Sequence, residues 1–69
     1  MKVYVRATRV RHWLATHNLS QNELARKLRT SSGYLAQLLG RSRCPSPRTR
    51  AKLMRILGLK KWDELFRFG

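Results

Sequence analysis

Sixty-nine residues hold one domain at most, and this chain sets 16 Lys and Arg against 3 Asp and Glu, a net charge of +13 with neutral histidines and a pI near 11.8. A charge that lopsided in a small body points to a polyanion partner, nucleic acid before all others; a ribosome-like or merely soluble basic protein is the plainer alternative. The lone Cys44 excludes an internal disulfide, no apolar run reaches membrane length, and Met1–Ala15 lacks the apolar core and small-residue cleavage pattern of a signal peptide. The expected location is the cytoplasm, with the nucleoid.

Val3 and Val5 alternate with Lys2, Tyr4 and Arg6. That is a strand period over a very short span. It suits a strand stub, a frayed terminus, or a basic arm tracking DNA backbone or minor groove. Ala7 or Thr8 to His17 reads as the first helix, with Thr8 as N-cap. Val10, Trp13, Leu14 and His17 form its apolar stripe at i, i+3, i+4, i+7. Asn18 suits the left-handed residue beyond its end. His12 and His17 have no second pair of ligands, so no metal is expected.

Ser20 caps the second helix, and Glu23 three residues on completes a capping box. Leu24, Ala25 and Leu28 share one face, and the small Ala25 lets another helix cross closely. Arg26, Lys27 and Arg29 lie outward. Ser31 is the next N-cap. The helix it opens sends Leu35 and Leu38 inward, flanked by Tyr34 and Leu39. Ser32, Gly33, Ala36 and Gln37 are left on the opposite face. That face is small, polar and uncharged in a chain full of arginine. A solvated face carries Lys or Glu; a face that slides against base edges does not.

Gly40 is expected to stop this helix. The loop that follows holds Arg41 and Arg43 and no acid. Ser46 and Pro47 restart a helix as N-cap and first residue. It runs Pro47 to Leu57, with Ala51, Leu53, Met54 and Leu57 apolar. Arg48 and Arg50 sit in its first turn, where a helix N-terminus already favours phosphate. Gly58 ends it and Leu59 returns to the core. Trp62 to Phe66 reads as a last short helix with Asp63 and Glu64 in its first turn. Arg67 to Gly69 reads as a tail, with Phe68 a lid or an exposed contact. The expected architecture is all-α: a five-helix orthogonal bundle filling residues 1–69 as one domain.

Catalysis lacks parts. Glu23, Asp63 and Glu64 are the only carboxylates, and each is assigned to a helix start, which leaves no acid–base pair. Cys44 has no histidine and orienting partner in the pattern. Neither an enzyme, a cofactor nor a small-molecule substrate is expected. Duplex DNA is better served. Gln37 can pair its amide with adenine N6 and N7 in the major groove. Ser31 and Ser32 reach phosphate or base. Gly33 and Ala36 allow close approach and methyl contact with thymine. Arg41, Arg43, Arg48 and Arg50 neutralise flanking phosphates.

Leu19-Ser20-Gln21, Glu23-Leu24-Ala25, Tyr34 to Leu38, Arg43-x-Pro45-Ser46, Leu53, Leu57-Gly58-Leu59 and Asp63 to Phe66 occur in this order and spacing. The set resembles the phage repressor and Cro-like helix-turn-helix family (xenobiotic-response-element type), over roughly residues 9–66. The resemblance implies a lambda-repressor-like domain that regulates transcription, repressor fashion, by occupying DNA as a monomer or homodimer. It implies a phosphate bond from Gln21, base contacts from Ser32, Gly33 and Gln37, and backbone contacts from Arg41 and Arg43. Three positions depart from the family pattern. Arg29 stands where the turn usually has glycine, so either Arg29 takes positive φ at some cost or the turn differs. Arg41 stands where glycine is usual after the recognition helix. Leu14 and Leu39 replace a frequent arginine–glutamate pair, and an apolar contact between them is expected.

Two rival readings stay open. One is an antitoxin-like module that binds protein and also touches DNA, with Trp62, Phe66 and Phe68 as its patch. The other is a nonspecific RNA or polyanion binder, which needs exposed aromatics such as Tyr4 and Tyr34.

Overall fold

The computed structural model describes residues 2–69. Its elements are β1 (Val3–Val5), α1 (Ala7–Thr16), α2 (Gln21–Lys27), α3 (Ser32–Leu39), α4 (Pro47–Leu57), a 3-10 turn (Trp62–Glu64) and β2 (Phe66–Phe68). The expected all-α five-helix bundle is therefore wrong. There are four α-helices and a two-stranded antiparallel sheet that joins the two ends of the chain. Val3 pairs with Phe68, Tyr4 with Arg67 and Val5 with Phe66. The ladder continues on both sides: the Gly69 amide donates to Lys2 O at 2.9 Å and the Arg6 amide to Leu65 O at 2.7 Å.

The predicted fifth helix stops after one turn because residues from the other end of the sequence take its carbonyls. Arg6 Nε donates to Asp63 O at 2.8 Å and to Phe66 O at 3.2 Å, and Arg9 Nε donates to Glu64 O at 3.2 Å. Arginines of the β1–α1 junction thus take carbonyls that a longer helix would bond to its own amides. The chain leaves the turn extended, and the predicted tail becomes β2. A two-stranded ribbon is marginal alone; here Val5 and Phe66 anchor it in the core.

Local chemistry sets the helix bounds. Ser20, Ser31 and Ser46 each accept the amide three residues on, at 3.1, 3.0 and 3.2 Å. Glu23 answers from its side chain, accepting the Ser20 amide at 2.9 Å. The first helix differs: Arg6, not Thr8, holds the N-cap position, without a side-chain cap. All four helices end alike. The left-handed residues are Asn18, Arg29, Arg41 and Gly58, at φ +54, +58, +66 and +71°. The amide after each closes a wide turn: Leu19 to Leu14 O, Thr30 to Ala25 O, Ser42 to Gln37 O and Leu59 to Met54 O. Positive φ at Arg29 matches the first of the two alternatives. After α3, the left-handed role falls to Arg41, while Gly40 keeps φ −84°.

The core gathers Val10 and Leu14 of α1, Leu24, Ala25 and Leu28, Leu35, Leu38 and Leu39 of α3, Leu53 and Leu57 of α4, and Leu65, with Val5 and Phe66 of the sheet. Leu14 and Leu39, at 7 and 4 % exposure, both belong to this cluster. Two apolar expectations fail: Ala51 is exposed, and His17 lies outside the core, stacked on Trp13 with ring centroids 4.2 Å apart. No charged or polar residue is buried among the described residues. None of their helices is long and apolar enough to cross a membrane.

Candidate nucleic-acid interface

α2 packs against α3, and the burial of Leu35, Leu38 and Leu39 decides which face of α3 is free. Leu35, Leu38 and Leu39 are buried, so the remaining positions of the same helix turn outward. Ser31, Ser32, Gly33, Ala36 and Gln37 are all exposed, and Tyr34 is half-buried. The five exposed side chains carry no charge. The Ser31 Oγ lone pair is engaged by the Tyr34 amide, which leaves its hydroxyl hydrogen to donate.

The two loop arginines both follow the C-terminus of α3, but their side chains take different directions. The Arg43 guanidinium lies over the Tyr34 ring, 5.7 Å from its centroid, on the first turn of the helix. Arg41 lies over the Tyr4 ring at 5.3 Å, beside β1 and past the C-terminus of α3. Each ring holds its arginine by cation–π attraction. The loop between them is fixed on α3: the amides of Ser42 and Arg43 and the Ser42 hydroxyl all donate to Gln37 O, at 3.1, 3.3 and 3.3 Å. That carbonyl therefore ties the loop to the residue whose side chain faces outward.

Near Tyr34 the surface is basic. A hollow of about 210 Å³ is bordered by Arg29, Thr30, Tyr34, Thr49 and Lys52, bringing the α2–α3 turn beside α4. Arg48 is exposed and Arg50 half-buried on the first turn of α4. Gln21 is half-buried at the first position of α2. The carboxylates stand elsewhere: Glu23 in its cap, Asp63 and Glu64 in the 3-10 turn. The Glu23 carboxyl is held below the usual carboxylate range, first by the Ser20 amide, then by the Ser20 hydroxyl, with Arg26 and Lys27 adding to both.

Two residues mattered more than their sequence context suggested. Tyr4 and Tyr34 are platforms for arginine, and only the sheet and the loop together reveal it. Phe66, expected in an aromatic patch with Trp62 and Phe68, is fully buried, though its ring still meets Trp62 at 5.4 Å. Among the described residues, Phe68 is the large apolar side chain left outside, 57 % exposed, with its ring 5.0 Å from Trp62. No three His, Cys, Asp or Glu side chains gather among the described residues. Cys44 is free and exposed. Neither a protein-family model, a curated protein nor a solved structure matches this chain.

Proposed function

We propose that the protein is a sequence-specific double-stranded DNA-binding domain of the helix-turn-helix kind, entering the major groove with α3 and regulating transcription by occupying its site. The reading places it with DNA in the cytoplasm and gives it no catalytic step. One observation carries it: the exposed Ser31, Ser32, Gly33, Ala36 and Gln37 carry no charge, and arginines held on tyrosines border them, Arg43 over Tyr34 on the same helix and Arg41 over Tyr4 past its C-terminus. Neutral groups can approach base edges, while the flanking cations meet phosphates, so specificity and affinity are divided between different side chains.

In this reading Ser32, Gly33, Ala36 and Gln37 face bases. Gln21, Ser31, Arg41, Arg43, Arg48 and Arg50 face backbone. The RNA alternative draws less support, because stacking needs open aromatic faces and the rings of Tyr4 and Tyr34 each already carry an arginine. Exposed Phe68 favours a second reading, a protein-binding face on the sheet, compatible with DNA binding on α3.

Selection from a pool of random duplexes tests the proposal. A shared sequence motif of a few base pairs should emerge, held in preference to single-stranded RNA and to scrambled duplex. Recovery of unrelated sequences with equal affinity would leave only a polyanion binder.

A further inference from the structure

A groove of about 880 Å³ opens beside the C-terminal end of α3, between the β1–α1 junction and the 3-10 turn. Arg6, Arg9, Arg41, Lys61 and Arg67 line it, against the carboxylates of Asp63 and Glu64. The excess of cations makes it an anion-binding surface. Two of them are already immobilised: Arg6 and Arg9 are anchored through Nε to carbonyls of the 3-10 turn and β2. A side chain so fixed loses little further freedom on meeting an anion. Arg67 pairs across the ladder with Tyr4, whose ring carries Arg41. The groove is therefore continuous, through Arg41, with the end of the proposed base-reading helix.

The chemistry separates a polymer from a small anion. A small anion needs donors withdrawn from water, and no polar or charged side chain is buried among the described residues. An extended polyanion gains from several exposed cations together, because each neutralised phosphate releases counterions. The longest dimension of the molecule is 33 Å, close to one turn of duplex at about 34 Å. A single molecule can then touch the major groove and the backbone well to one side of it.

We infer that this groove takes the sugar-phosphate backbone of the same duplex that receives α3, extending the footprint asymmetrically beyond the base-reading site. The inference rests on the proposed DNA-binding function and adds to it a second, sequence-independent contact surface.

The test uses a Lys61→Ala/Arg67→Ala double variant. Both side chains are exposed, and a thermal melt by circular dichroism verifies the fold. Affinity is measured against salt concentration on a selected duplex, and on versions trimmed at either flank. On the long duplex the variant should lose about two units of the log–log salt slope, with its preferred sequence unchanged. Trimming one flank should cause the same loss in the wild type and no further loss in the variant. An unchanged slope in the variant would overturn the inference. So would a loss that persists on duplexes trimmed at both flanks, since Lys61 and Arg67 would then act within the base-reading site rather than beyond it. A pool that yields no preferred sequence defeats the base-reading proposal; an unchanged slope with the preferred sequence intact removes the groove alone.

Discussion

Glycine at position 33 costs α3 about 1 kcal/mol relative to alanine, yet the protein itself does not require it: a methyl group added there meets no atom within 4 Å. Under the proposed function, a duplex pressed against the α3 backbone supplies a reason for it. Gly33→Ala should therefore raise stability by about 1 kcal/mol in urea denaturation while weakening duplex binding. Unchanged binding would remove the close approach. The neighbouring roles separate by a different comparison. Gln37→Ala should relax preference at one base position by about 1–3 kcal/mol. Arg43→Ala should weaken all duplexes alike and lower the salt slope by about one unit. A panel of single-base variants measures both, and a larger change of preference in Arg43→Ala would reverse the assignment. Glu23 sets a pH dependence. Its carboxyl titrates lower when folded than when unfolded. Its stabilisation is complete above the ordinary carboxylate value and is lost as pH falls through the lower, folded one. Melting temperature should drop across that acidic window, and Glu23→Gln should flatten this part of the profile.

At the scale of elements, the starts of helices were readable because a cap is local. Ser20, Ser31 and Ser46 each need only an amide three residues on. The ends were less so. Arg29 stood out as a left-handed residue where glycine was expected, but Gly40 drew attention away from Arg41, which carries the positive φ after α3. A non-glycine residue in that conformation costs about 1–2 kcal/mol, partly offset because glycine has more freedom to lose on folding. Arg29→Gly should thus stabilise the fold by about 0.5–1 kcal/mol, seen as a higher denaturation midpoint with an unchanged slope. The sheet was half legible. Val3 and Val5 showed the strand period, but Phe66-Arg67-Phe68 is too short to declare one. It follows residues that read well as a helix start, and its partner lies at the other end of the chain. Pairing at such separation is fixed by tertiary packing, here by Val5 and Phe66, rather than by local propensity.

Over the whole molecule, the charge total raises the expectation of a polyanion partner but does not say where the cations stand. The exposed α3 face followed from periodicity alone, because Leu35 and Leu38 fix which side is buried. The parting of Arg41 toward Tyr4 and of Arg43 toward Tyr34 did not. It depends on Tyr4, which reaches Arg41 through a sheet the sequence only half announces. The resulting surface is a set of neutral side chains bordered by these two arginines and continued past Arg41 by the groove. Backbone amide resonances of isotope-labelled protein, followed as a selected duplex is added, test this arrangement most directly. The account predicts the largest shifts at Ser32 to Gln37, with smaller ones at Arg41 and Arg43. Shifts confined to Trp62–Phe68, with the amides of α3 unmoved, would contradict it.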